Sequence, residues 1–232
     1  MTPENDSAPR RSALEELDRD PASRKRFLKA VGGAGAAGAF GLFLAACGSD
    51  DKSSSSSTTS TTSTADTGET DMFGKGDLGI AGYALTLEYL EADFYKKAGA
   101  SGKLKGQVLE VAKQYGEEES EHVKALEAMI KKAGGKLPPK PKTKFPLDSQ
   151  KSILELAATV ENLGASAYLG QAGRIKDKEI LAAALSIHAV EARHAAVLNQ
   201  AIGEEITPDG AFAVPTDAAT VLEMVKPFIV AS

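Results

Sequence analysis

Two short stretches constrain this chain more than anything else in it: Glu119-Ser120-Glu121-His122 and Glu191-Ala192-Arg193-His194. Each sets a carboxylate and an imidazole three residues apart, so on a helix both point to one face within a single turn. The chain has three histidines, and two of them stand in this spacing. Val108, Ala112, Tyr115, Leu126 and Met129 share the helical face of Glu119, while Ala184, Ile187, Ala195 and Leu198 share that of Glu191. A carboxylate on a core-facing stripe is costly to bury unless a cation or hydrogen-bond donors offset it.

Two further carboxylates repeat the arrangement. Glu88 lies on a stripe with Ala81, Ala84, Ala92 and Tyr95, and Glu161 on one with Leu154, Ala157, Ala158, Ala165 and Tyr168. Glu88 and Glu161 are 73 positions apart, Glu119 and Glu191 72. The chain thus reads as two copies of one unit, a helix with Glu and Tyr followed by a helix with Glu-x-x-His. That is the ligand set of a carboxylate-bridged two-metal site inside a four-helix bundle: Glu88, Glu119, His122, Glu161, Glu191 and His194. Such a set fits around two ions about 3.5 to 4 Å apart.

The first helix, Leu85-Thr86-Leu87-Glu88-Tyr89-Leu90-Glu91-Ala92-Asp93-Phe94-Tyr95, together with the two Glu-x-x-His motifs, resembles the ferritin-like superfamily. The likeness is to its bacterioferritin and rubrerythrin-type di-iron proteins, and to bacterial ferritin-like proteins labelled desiccation-related. It covers roughly residues 72–202. The resemblance implies that Glu119 and Glu191 bridge two metals, that His122 and His194 each bind one, and that Glu88 and Glu161 are terminal ligands. It also implies that Tyr95 and Tyr168 hydrogen-bond the terminal carboxylates and so fix their orientation. Carboxylate and imidazole in this ratio suit two iron ions, with manganese as the alternative. Ser120 stands where haem-binding bacterioferritins carry Met, so no haem is expected. His188, three residues before Glu191, reads as a satisfied core histidine rather than an extra ligand or a donor to the ligands, and Glu91 as a solvated residue at the bundle end rather than an alternate ligand.

Residues 1–47 read as a targeting segment. Ser23-Arg24-Lys25-Arg26-Phe27-Leu28-Lys29 resembles the twin-arginine export motif, with Lys25 in place of the second Arg. The long charged stretch before Ser23 favours export of a folded protein, while the Lys25 departure leaves general secretion open. A Gly/Ala-rich apolar stretch follows, too short to be a convincing membrane helix. It ends in Leu44-Ala45-Ala46-Cys47, which looks like a lipobox with Cys47, the only cysteine of the chain, as the acylated residue. The expected location is the outer face of a bacterial cell membrane, held by a lipid anchor. Residues 48–70 form a linker whose Ser/Thr run, Ser53 to Thr64, cannot bury apolar surface and is expected to be disordered.

Residues 71–232 are expected to form one all-α domain. Ala, Leu, Glu and Lys dominate it, Trp is absent and strand-like alternation is scarce. Helices are expected over 77–98, with Asp77 as N-cap, then 104–132, 149–170 and 177–202. Thr216 is expected to cap a short extra C-terminal helix, 217–226, whose Val221, Leu222 and Val225 pack on the outside of the bundle. The tight turn at 99–102 makes the first two helices an antiparallel hairpin. The proline-rich connection through Pro138, Pro139, Pro141 and Pro146 is long enough to cross the bundle from end to end. The fold class is therefore a ferritin-like antiparallel four-helix bundle with one long crossover.

A formal charge of −5 shows no basic excess and disfavours nucleic acid as a partner. The expected partners are metal ions, dioxygen or peroxide, and a membrane reached through the anchor. Three functions suit these features. The first is a di-iron protein that oxidises Fe(II) or reduces dioxygen or peroxide outside the cytoplasm, the second a dimanganese catalase-like protein. The third is a non-catalytic envelope or desiccation-stress scaffold with an empty site. A lipid on every subunit fits a closed storage cage poorly, so a monomer or homodimer is expected.

Overall fold

The computed structural model describes residues 68–230. The export motif, Cys47 and the Ser/Thr-rich run lie outside the described residues. Five α-helices follow in order: α1 (Asp77–Ala100), α2 (Gly106–Lys132), α3 (Gln150–Ala172), α4 (Lys178–Ile202) and α5 (Ala218–Val225). Short 3-10 turns stand at Asp71–Phe73 and Lys226–Phe228, and the described residues contain no strand, only one isolated bridge between Thr143 and Ile229.

Local chemistry sets the helix ends. Ser149 caps α3 in a reciprocal box with Ser152, and the Asp177 carboxylate accepts the N–H groups of Glu179 and Ile180 at the start of α4. Gly134 and Gly203 take left-handed backbone just past α2 and at the end of α4, where a side chain would be strained. Three of the expected helix starts differ. Gly76, not Asp77, occupies the N-cap of α1, and the Asp77 carboxylate instead accepts the N–H groups of Lys176 and Asp177 in the α3–α4 turn. Leu104 is buried ahead of α2 rather than opening it. Asp217, not Thr216, caps α5 by accepting the Thr220 N–H, while the Thr216 backbone N–H goes to the Ser166 carbonyl on α3.

The helices pair as two hairpins, α1 with α2 and α3 with α4, and the hairpins face each other through α1–α3 and α2–α4 contacts. Asp77 places the start of α1 at the end of α3, and a Lys132–Glu179 ion pair of 2.9 Å places the end of α2 at the start of α4. The Lys105 N–H reaches the Gln150 side chain at 3.2 Å, so α2 and α3 begin at the same end of the bundle. The connection between them must traverse its full length, as the prolines imply.

That crossover lies along α1. Lys140 sits over the ring of Tyr89, Thr143 accepts hydrogen bonds from Lys97, and Phe145 meets Phe94 edge to face at 5.2 Å. The C-terminal strap covers it in turn through Lys144 N–H to Phe228 O and Val230 N–H to Lys142 O. α5 packs with Val221 and Val225 fully inward and Leu222 half-buried. Enclosed in this way, α1 is buried without a break from Gly79 to Glu91. Its sequence, apolar almost all round, is that of a helix with no solvent face.

Candidate metal centre

α1, α2, α3 and α4 bring all six expected side chains to one interior point. Glu88, Glu119, Glu161 and Glu191 are completely buried, His194 is nearly so, and His122 keeps a small exposed edge. They form two overlapping groups, Glu88, Glu119, His122 and Glu191 on one side and Glu119, Glu161, Glu191 and His194 on the other. Ligand-type atoms within each group lie no more than 4.8 Å from one another. Glu119 and Glu191 belong to both groups, the position a bridging carboxylate requires.

Each imidazole presents Nδ1 to the cluster. His122 Nδ1 lies 2.9 Å from Glu119 Oε2 and 3.3 Å from both Glu88 Oε2 and Glu191 Oε1. His194 Nδ1 lies 3.1 Å from Glu119 Oε1 and 3.2 Å from Glu161 Oε2. One N–H cannot satisfy three carboxylates. Glu88 Oε2, Glu119 Oε1 and both oxygens of Glu191 are accordingly buried without a hydrogen-bond partner, although three of them stand at ion-pair distance from an imidazole. Buried, unpaired acceptors of this kind are rare and call for a cation. The donor set, oxygen-rich with one imidazole per half, fits a pair of iron or manganese ions.

Without a metal, protons take up the charge. Burial opposes ionisation of His122, but the carboxylates of Glu119, Glu191 and Glu88 outweigh it and push the imidazole up to about 12. Burial likewise loses to Glu119 and Glu161 at His194, pushed up to about 11. Burial pushes the Glu88 carboxyl up to about 8 despite His122, and it raises Glu161 and Glu191 as well. Glu119 is buried too, yet both imidazoles and Glu88 hold it down to about 2. Deprotonating the raised groups and giving their place to metal is the linkage expected of a metal site.

The tyrosines cross between the repeats. Tyr95 of α1 donates to Glu161 of α3, and Tyr168 of α3 donates to Glu88 of α1. Each terminal carboxylate is pinned by the tyrosine of the other copy. His188 stands apart from the cluster, half-buried rather than in the core, its Nδ1 at 2.9 Å from the Ala165 carbonyl.

Glu91 corrects the reading of the sequence. It is 3 % exposed rather than solvated, because α3 and α5 cover the side of α1 that carries it. Its Oε2 has no hydrogen-bond partner, and burial together with Glu191 and Glu88 raises its carboxyl well above the ordinary range. Gly164 makes the room: a Cβ there would sit 2.7 Å from Glu191 Oε2 and 2.9 Å from Glu91 Oε1. Glu91 is therefore a fifth buried carboxylate at the centre, on the side away from the histidines. Two neighbours of His194 were also missed. The Tyr115 ring stacks on the imidazole with centroids 3.8 Å apart, and Glu118 Oε2 lies 2.6 Å from Nε2. Glu118 lies beside Glu119 in sequence but off its stripe, and only the tertiary packing of α2 on α4 brings it to His194.

An open groove between α2 and α4 has His122 and His194 in its wall, with Glu117, Glu118 and Glu121 on one side and Val190, Arg193 and Val197 on the other. It joins the imidazole edges to solvent.

The fold of the bundle is similar to that of a solved protein. A conserved hypothetical protein from Mycobacterium tuberculosis superposes with a TM-score of 0.50 at 17 % identity, covering 60 % of this chain and 94 % of its own. A hypothetical protein from Methanococcus jannaschii DSM 2661 gives 0.45 at 14 % identity, covering 77 % and 98 %. A search of curated proteins gives no match. The family profile described as "Ferritin-like domain" matches residues 76–204, more than half of the chain, and spans α1 to α4 with every residue of the cluster. The chain belongs to the ferritin-like domain family.

Proposed function

We propose that the cluster holds two iron ions and that the protein oxidises Fe(II) or reduces dioxygen or peroxide there. The observation that carries this reading is Glu191. Both its oxygens are buried without a hydrogen-bond partner, in a carboxylate common to two four-residue groups that each contain an imidazole. Glu119 and Glu191 would bridge, Glu88 and Glu161 would each cap one ion, and His122 and His194 would bind through Nδ1. When bound, a ferrous pair supplies two electrons to one acceptor. The chain does the rest. Tyr95 and Tyr168 keep the terminal carboxylates from swinging away, apolar walls of α1 and α3 exclude water from one side, and the α2–α4 groove admits small polar reactants from the other.

Anaerobic titration with Fe(II) tests the proposal. Two ions per chain are expected, followed by oxidation on adding dioxygen or peroxide, with both lost in Glu191→Ala. Tight uptake of manganese with peroxide dismutation, and no Fe(II) oxidation, would favour the dimanganese alternative. Failure to bind either metal would leave the bundle as a scaffold.

The segment before residue 68 supports placing this chemistry outside the cytoplasm on a lipid anchor, as part of the same proposal. Replacing Cys47 with Ser is expected to release the protein from membranes or leave an unprocessed precursor, read by fractionation and mass. Unchanged membrane association with normal processing would contradict it.

A further inference from the structure

We propose that Glu118 is a positioning residue that makes the two halves of the centre unequal, so that the half containing His194 binds its metal more tightly and fills first. The inference rests on the reading of the cluster as a two-metal site and adds an order of loading to it.

The repeat in the sequence would make the halves alike, since Glu119 and His122 correspond to Glu191 and His194 at an offset of 72 positions. Their surroundings are not alike. His194 gives its Nε2–H to Glu118 Oε2 at 2.6 Å, and Glu118 is itself held by the Gln114 amide at 2.9 Å. Tyr115 stacks on the same imidazole at 3.8 Å and 21°. His122 has none of this. Its Nε2 has no hydrogen-bond partner among the described residues, and its edge opens on the groove. The same offset of 72 explains why: Val190 stands where the second copy would need a counterpart of Glu118, Ile187 where it would need Tyr115, and Ser186 where it would need Gln114. The symmetry of the ligands is kept while the symmetry of their supports is broken.

A carboxylate that accepts Nε2–H fixes the ring with Nδ1 toward the cluster and increases the basicity of Nδ1 as a ligand once metal displaces its proton. Removing such a partner typically weakens metal binding by about 10- to 100-fold. His194 is thus held at both ring nitrogens before any metal arrives, whereas His122 is held through Nδ1 alone.

The test is titration of the metal-free full chain with Mn(II), followed by calorimetry and by electron paramagnetic resonance. The resonance separates free Mn(II), an isolated bound ion and a coupled pair. The wild-type protein is expected to bind in two steps, with the isolated-ion signal dominant at one equivalent and the coupled signal growing toward two. In Glu118→Ala the first step should weaken by about 10- to 100-fold while the second is unchanged, so that the steps merge. Glu118→Gln, which can still accept the Nε2–H through its amide oxygen, should recover part of that loss. Val190→Glu, which supplies the missing carboxylate beside the other half, should tighten the second step. Circular dichroism would confirm that each variant folds. Two steps in the wild type with the first unmoved by Glu118→Ala would overturn the proposal and leave the two-metal reading intact. No binding of Mn(II), Fe(II) or Co(II) by the wild type would overturn both.

Discussion

Gly164 shows how much of this centre depends on single atoms that are absent. Helix interiors disfavour glycine by about 1 kcal/mol against alanine, so its place in the middle of α3 needs a reason. The reason is the pair of carboxylate oxygens, from Glu191 and Glu91, that would crowd its Cβ at 2.7 and 2.9 Å. Both belong to buried side chains with little room to retreat. Gly164→Ala is expected to destabilise the protein by about 1–3 kcal/mol, by overpacking, and to lower its metal content. Gly99→Ala, where a Cβ meets nothing within 4 Å in the last turn of α1, should instead stabilise by about 0.4–1 kcal/mol. Denaturant melts with metal analysis would check both, and an unperturbed Gly164→Ala protein would contradict the crowding. At this scale the Glu-x-x-His pairs were legible because their spacing is local and helical, and Glu88 and Glu161 because they recur on apolar stripes at a matching interval. Glu91 and Glu118 were not. Whether a glutamate on a helix is solvated depends on what lies across from it, and α5 and α4 are distant in sequence.

The elements differ in how far their own sequences determine them. The four long helices carry periodic stripes and recognisable stops, so their existence follows from the residues. The crossover follows from its prolines and from the impossibility of hiding the carboxylates of one hairpin alone. Its docking does not, since Lys140, Thr143 and Phe145 meet Tyr89, Lys97 and Phe94 on an element distant in sequence. The start of α5 is the sharpest case. Thr216 and Asp217 are both competent caps, yet it is Asp217 whose carboxylate accepts the Thr220 N–H, with Thr216 docked on α3 through its own N–H to Ser166. Asp217→Ala should therefore cost about 1 kcal/mol, the usual value of a lost cap, while Thr216→Ala should be nearly neutral. Thermal melts of the two variants give the comparison, and the reverse order of effects would restore Thr216 as the cap.

At the level of the whole molecule, the buried charges tie stability to pH and to metal. Glu88, raised from its ordinary value to about 8, favours the folded state while protonated; that contribution is full below about 4.5 and lost as pH climbs through 8. Glu161, Glu191 and Glu91 shift in the same direction. The imidazoles, raised to about 12 and 11, add a loss of the same sign that begins above about 6.5. Glu119, held to about 2, acts oppositely, and its contribution is lost only as pH falls from about 4.5 through 2. Metal-free protein should accordingly melt at lower temperature as pH rises from 5 to 8, while metal-loaded protein changes much less and loading releases protons. A metal-free melting temperature that rose over this range would contradict the protonation pattern. The central claim is that two Glu-x-x-His helices and two further glutamates enclose a pair of metal ions. Anomalous X-ray scattering at the iron edge, from crystals of the protein loaded with Fe(II), measures it most directly. The account expects two peaks per chain between Glu119 and Glu191, one beside His122 Nδ1 and one beside His194 Nδ1; a single peak elsewhere, or none in the bundle, would contradict it.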